Sequence, residues 1–191
     1  MSELGQGDCA SVQIRAAQGT DAASVAALLS LTFYPQRGWR ALLTPVMQMG
    51  MQHELLTRLQ SLTPEIYVCL LCEKKQGRWS QLLGTVELSQ RPVQVPGQSR
   101  QRVPYISNLA VHPQYRHQGI GERLLQSCES VSRHWQASAL YLHVRSENRP
   151  AQALYLKLGY QKYREPPTAA RYLYRKDLHT ACSEPAVMIH G

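Results

Sequence analysis

The clearest pattern lies between residues 105 and 135. An apolar run rich in β-formers, Tyr105 to Val111, has the length of a buried strand and stops at His112-Pro113, where proline ends a ladder. From Ile120, apolar residues recur at Leu124, Leu125, Cys128, Val131 and Trp135, the stripe of an amphipathic helix reaching about Ala137. Upstream, Ser11 to Ala17 alternates as a strand. Gly19-Thr20-Asp21 then supplies a turn and an N-cap for a helix over Ala22 to Phe33, ended by Pro35. A second helix is expected from about Trp39 to Leu62, interrupted or kinked near Thr44-Pro45. Strands follow at about Glu65 to Lys74 and Arg78 to Gln90, joined by a short turn as a hairpin, and then a mobile loop over Arg91 to Arg102, with Pro92, Pro96 and Gly97. Downstream the pattern gives a strand at Ala139 to Arg145, a helix at Pro150 to Leu158 stopped by Gly159, and strands at Tyr160 to Arg164 and Arg171 to Asp177. The whole reads as an α/β chain with one domain over 11–179, a flexible N-terminus over 1–10 and a flexible tail over 180–191.

With 191 residues, 43% of them hydrophobic, the chain has enough apolar mass for one sizeable core and needs no second domain. No run of about 18 apolar residues suggests a membrane span, and the polar, acidic start is unlike a signal or transit peptide, so a cytoplasmic protein is expected. Cys9, Cys69, Cys72, Cys128 and Cys182 are odd in number and scattered, which fits reduced thiols. Cys69-x-x-Cys72 lacks a second suitably spaced Cys/His pair, so no metal is expected. The net charge of +8 is uneven, with 13 Lys/Arg against 6 Asp/Glu after residue 95 and 8 against 7 before it. Such a bias suits phosphates or an acidic protein substrate. A nucleic-acid partner ranks last, because neither a zinc-finger nor an RNP pattern is present.

Arg116-His117-Gln118-Gly119-Ile120-Gly121 joins the strand to its helix, and the first N–H groups of a helix lack internal partners and carry the positive end of its dipole. A pyrophosphate fits such a place, with Gly119 and Gly121 admitting the backbone closely and Arg116 and His117 adding charge or donors. The same two glycines could merely turn the chain into the helix. A P-loop is excluded by the absence of Gly-Lys-Ser/Thr, and a dinucleotide fingerprint would need a third glycine and a downstream acid.

Arg116-x-x-Gly119-x-Gly121 following Asn108-Leu109-Ala110-Val111-His112-Pro113 resembles the acetyl-CoA signature of the GNAT superfamily of N-acetyltransferases. A second block, Leu140-Tyr141-Leu142-His143-Val144, Asn148, Ala151, Ala153-Leu154-Tyr155 and Leu158-Gly159-Tyr160, is similar to that family's later strand and helix. The wording is most like cyanobacterial and plastid members and those that acetylate a ribosomal-protein alanine. The resemblance implies a mixed, mostly antiparallel sheet of about seven strands, flanked by helices and splayed between the fourth and fifth strands to admit acetyl-CoA. It also implies cofactor contacts from Leu109, Ala110, Val111, Arg116, His117, Gln118, Gly119, Ile120, Gly121, Glu122, Asn148 and Tyr155.

Acetyl transfer to an amine needs a held thioester, a neutral amine, a donor for the developing oxyanion and an acid for the departing thiolate. By resemblance, Tyr155 is the general acid. Where several protein-acetylating members carry a glutamate base, this chain has His143, a residue type able to accept a proton near neutral pH. His143 could equally be a hydrogen-bonded structural residue, and Glu87 is a second candidate base, acting through water. The expected function is acetylation of a protein or peptide amine, at lysine, the N-terminus or both. The alternatives are acetylation of a small amine such as a polyamine or aminoglycoside, and a non-catalytic acyl-CoA-binding regulatory domain.

Overall fold

The computed structural model describes residues 12–33, 44–61, 63, 65–77, 79–93, 101–163 and 170–178. Seven strands, β1 (Val12–Ala16), β2 (Tyr67–Gln76), β3 (Trp79–Val93), β4 (Gln101–Val111), β5 (Ala139–Arg145), β6 (Gln161–Tyr163) and β7 (Arg171–Asp177), form one sheet in the order β1-β2-β3-β4-β5-β7-β6. Among the described residues four α-helices accompany it: α1 (Ala22–Phe33), α2 (Thr44–Ser61), α3 (Ile120–His134) and α4 (Arg149–Lys157). Every neighbouring pair is antiparallel except β4 and β5, which run parallel and are joined through α3. The expected mixed, mostly antiparallel seven-stranded sheet is therefore present.

The parallel pair is brief. Only Tyr105↔Tyr141 and Ile106↔Leu142 are in register, so past Ile106 the two strands diverge, and the sheet is open between its fourth and fifth strands. A bulge lies at the start of the divergence. Ser107 faces Glu87 and Ala110 faces Thr85, so Asn108 and Leu109 together oppose Val86, and Asn108 takes the left-handed conformation at φ 52°. The extra residue re-aims the backbone of β4 where it leaves β5.

Among the described residues, the two larger of three hydrophobic clusters cover opposite faces. Leu88, Ile106, Leu142, Val144 and Tyr174 pack with Ile120, Leu124, Leu125 and Cys128 of α3 and Tyr155 of α4. Leu124 and Leu125 are fully buried, which is worth about 1.5–3 kcal/mol each. On the other face, Val25, Leu28 and Leu29 of α1 and Leu55 of α2 pack on Tyr67, Cys69, Leu71 and Ala110. Cys69 and Cys72 thus point into different cores, which separates the two thiols of the Cys-x-x-Cys pair. Burial pushes the Cys69 thiol up to about 12, so both packing and chemistry make it inert. Edge strand β1 is tied down by Arg15, which donates to both Asp21 oxygens at 2.7 and 2.8 Å and pairs with Glu73 at 3.1 Å.

Arg91 to Arg102 is not a loop throughout. Strand β3 continues to Val93 and β4 begins at Gln101, with Arg91↔Val103 and Pro92↔Arg102 in register. The ladder with β2 ends at Tyr67↔Ser89, so Pro92 needs no N–H on that side and sits in strand without penalty. Thr44 and Pro45 stand at the described start of α2, and from there to Ser61 the helix runs on without a break. The expected helical stretch 39–43, the loop residues 94–100 and both expected tails lie outside the described residues.

Gly84 on β3 holds these layers together. A Cβ there would lie 3.0 Å from the Ala110 carbonyl oxygen, 3.0 Å from Ile120 Cγ2 and 3.1 Å from Leu124 Cδ1. Gly84→Ala should cost about 1–3 kcal/mol through overpacking. Urea unfolding should show it as a lower midpoint at unchanged slope, and an unmoved midpoint would mean that α3 does not press on β3 as described.

Candidate active site

The turn before α3 is built for close approach. His112 ends β4, and its Nδ1 accepts from the Gln114 N–H at 3.4 Å, opening a single 3-10 turn over Pro113–Tyr115. Arg116 Nε donates to the Val111 carbonyl at 3.3 Å and Gln118 Nε2 to the Gln114 carbonyl at 3.4 Å, so both side chains brace the loop. His117 and Gly119 both take positive φ, 61° and 78°, curling successive backbone groups round the helix start. Gly119 is the N-cap and offers no side-chain cap, so the first N–H groups of α3 are left for an external acceptor. A Cβ at Gly119 would meet nothing within 4 Å, which leaves open space there. These features fit a phosphate group.

The other turn residues divide between binding and packing. Ile120 is buried in the main core, so only its backbone faces the turn. A Cβ at Gly121 would lie 3.2 Å from Leu154 Cδ2 and 3.8 Å from Val111 Cγ2, so this glycine serves the close packing of α3 on α4 and β4. Glu122 accepts from Lys157 Nζ at 2.7 Å, a second tie between these helices.

Helix α4 brings two further residues to the same face. Asn148 Oδ1 accepts from the Ala151 N–H at 3.2 Å, so Asn148 is the N-cap of α4, with proline following in the first turn. Tyr155 is 7% exposed, and its ring is tilted against those of Tyr160 and Tyr174, with centroids 5.8 and 6.0 Å away. Burial raises its pKa well above the ordinary tyrosine range, with smaller contributions from Tyr105 and Cys128. Its hydroxyl therefore stays protonated at neutral pH.

His143 and Glu87 lie on the opposite face of the sheet. His143 Nδ1 is 2.9 Å from the Tyr105 hydroxyl, across the β4–β5 line. Glu87 is buried on β3, and both of its oxygens are engaged: Oε2 accepts from Arg58 of α2 at 2.6 Å, and Oε1 from Asn108 Nδ2 at 2.7 Å. Arg58 also pairs with Glu54. Burial opposes the Arg58 charge, but Glu87 and Glu54 outweigh it and raise its pKa. Leu109, within the bulge, and Ala110 and Val111 after it lie where β4 has no ladder partner on the β5 side.

The turn follows Val111 directly and α3 meets α4 through Gly121 and Leu154 and through Glu122 and Lys157, with Tyr155 in the core on that face, while His143 and Glu87 lie on the other face. Sequence reading gave no site role to Tyr105, Asn108, Arg58 or Gly84. An asparagine inside a strand and a glycine inside a strand are signals of a bulge and of close backbone approach, and both were present. Among the described residues, no group of three or more His, Cys, Asp or Glu side chains could hold a metal ion. No described helix is long and apolar enough to cross a membrane.

A splayed mixed sheet with an uncapped, glycine-led helix start at the opening defines the class of acyl-CoA N-acyltransferase folds. The chain belongs to the Acetyltransferase (GNAT) family, whose sequence profile matches residues 36–160. It is 36% identical over 72 residues to the chloroplastic GCN5-related N-acetyltransferase 7 of Arabidopsis thaliana, covering 37% of this chain and 26% of that protein. It is 42% identical over 59 residues to an N-alpha-acetyltransferase of Sulfurisphaera tokodaii, covering 30% and 35%. The matched segments therefore span a quarter to about a third of these relatives. Among solved structures, the PaiA N-acetyltransferase of Thermoplasma acidophilum in complex with coenzyme A superposes with a TM-score of 0.64 at 18% identity, covering 87% of this chain and 99% of that one.

Proposed function

We propose that this protein transfers the acetyl group of acetyl-CoA to a primary amine of a protein, at an N-terminal α-amine or a lysine side chain, by direct attack in a ternary complex. The observation that carries the reading is the uncapped start of α3 beside the β4–β5 opening, with Tyr155 buried on the same side. Acetyl-CoA supplies the activated acyl carbon. In this reading the N–H groups from Gly119 onward hold the pyrophosphate, and the backbone of Leu109 to Val111, which has no ladder partner on the β5 side, orients the pantetheine arm and offers an N–H to the carbonyl oxygen. The amine approaches from the face of His143. A nitrogen–carbon bond forms and the carbon–sulfur bond breaks; the amine's proton passes to His143 or to water, and Tyr155 gives its proton to the departing sulfur. His143 Nδ1 and the Tyr105 hydroxyl lie within hydrogen-bond distance, and the tautomer that donates from Nδ1 to the Tyr105 oxygen is the one in which Nε2 is the basic nitrogen. Glu87, with both oxygens engaged, serves better as the anchor of Asn108 and Arg58 than as a base.

An α-amine acceptor is supported by the S. tokodaii relative, which is named an N-alpha-acetyltransferase. A neutral imidazole suits an α-amine, with pKa about 7.7–8.0, better than a lysine at about 10.4. We assign the protein to the reducing cytoplasm, on the free thiols Cys69, Cys72 and Cys128. The deciding experiment incubates the protein with labelled acetyl-CoA and peptides bearing free N-termini or internal lysines, then maps acetyl groups by mass spectrometry. Acetylated α-amines are the expected result. Acetylation of polyamines or aminoglycosides alone would replace the protein substrate, and acetyl-CoA binding without any transfer would make this a regulatory domain.

A further inference from the structure

On the face from which the amine approaches, the strands line up Ser89 and Arg91 of β3, Tyr105 and Ser107 of β4, His143 and Arg145 of β5, and Arg171 of β7. Arg91 is the unusual member. Its Nε donates to Ser89 Oγ at 2.9 Å and its Nη2 to Ser107 Oγ at 3.3 Å, while its guanidinium carbon lies 5.0 Å from the Tyr105 ring centroid. All three partners are neutral. They hold the fork in one place without cancelling its charge, whereas Arg175 is compensated by Asp177 at 2.5 Å and Arg145 by Glu147 at 3.6 Å. Among the described residues, no carboxylate pairs with Arg91 or with the exposed Arg171, and both cations bear on the Tyr105 hydroxyl. The one buried acid nearby on β3, Glu87, is already held by Arg58 and Asn108.

A guanidinium fixed by neutral groups keeps its full charge for a planar anion and has already lost the side-chain freedom that binding would otherwise cost. Here it sits across one tyrosine ring from His143, whose ring centroid is 5.8 Å from that of Tyr105. We propose that Arg91, assisted by Arg171, selects acceptor peptides carrying an acidic side chain close to the reacting amine. This rests on the acetyl-transfer reading above. The guanidinium lies within about 11 Å of the imidazole, and an extended peptide advances about 3.3 Å per residue, so the acid belongs to the second to fourth residue of an N-terminal acceptor.

The test compares kcat/KM for three peptide sets, alike except for Asp/Glu, Asn/Gln or Lys/Arg at positions two to four, together with free aspartate. Wild type should favour the acidic set over the neutral one by at least about tenfold, in KM rather than kcat, with the preference shrinking as salt is added. Arg91→Gln should bring the acidic-to-neutral ratio to about one, Arg91→Lys should restore part of it, and the exposed Arg171→Gln, which carries little risk to folding, should reduce it several-fold. Equal wild-type rates on acidic and neutral peptides would overturn the proposal. So would an acidic-to-neutral ratio that Arg91→Gln leaves unchanged, which would make Arg91 a prop for β3 and β4, or a preference for free aspartate over every peptide. If no peptide of any charge is acetylated, the acetyl-transfer reading fails and the proposal falls with it.

Discussion

Replacing Tyr155 with phenylalanine should lower kcat by about 100-fold to 10,000-fold, the usual loss when a general acid is removed, and leave acetyl-CoA affinity within a few-fold. The ring contacts with Tyr160 and Tyr174 persist in phenylalanine, so the fold should survive and the loss should be one of chemistry. The pH dependence gives a second readout. Burial moves the Tyr155 pKa upward, so the proton-bearing form persists through the neutral range and beyond the ordinary tyrosine value of about 10. Wild-type kcat should therefore show no alkaline fall below about pH 10. Wild-type turnover in Tyr155→Phe, with chemistry shown to be rate-limiting, would assign the proton to water or another side chain.

Gly119→Asp should weaken acetyl-CoA binding at least about 100-fold while the protein stays folded. Aspartate is among the few residues that enter the left-handed region Gly119 occupies, and space for its Cβ is open. A carboxylate there also caps the bare start of α3, which favours the helix by about 0.3–1 kcal/mol. The same charge then stands where the pyrophosphate would sit; at about 4 Å and an effective dielectric near 20, that repulsion reaches about 4 kcal/mol. Calorimetry of acetyl-CoA binding beside a thermal melt separates the two effects. Undiminished affinity in the folded variant would move the phosphates away from this turn.

Much of this architecture could be read locally. Helix α1 begins at Ala22 where its turn residues say it should, and Ala139–Arg145 and Arg171–Asp177 end where the apolar pattern says they should. The turn from Arg116 to Gly121 was legible for the same reason, since everything that shapes it lies within a few residues. The strand at the two ends of the expected loop, Arg91 to Val93 and Gln101 to Arg102, was not legible because proline is penalised without knowing whether a neighbouring strand needs its N–H, and at Pro92 the β2 side needs none. The partners of the site were hidden by distance along the chain. Glu87 meets Arg58 and Asn108, and His143 meets Tyr105, across separations of 29, 21 and 38 residues. Only strand register and the docking of α2 bring these side chains together.

A sheet of seven strands ordinarily presents two raw edges to its surroundings, but one whose halves share only two residue pairs presents parts of four. The inner two, on β4 after Ile106 and on β5 after Leu142, are open to any extended chain that can reach them. A pantetheine arm lying between them would act as the missing strand and close both at once. The liganded protein should then melt later, by an amount that grows with ligand concentration, and should also be the form that resists association through strand pairing. Loss of the cofactor would thus expose a self-adhesive seam in the middle of the molecule, and cellular acetyl-CoA supply would govern solubility as well as rate.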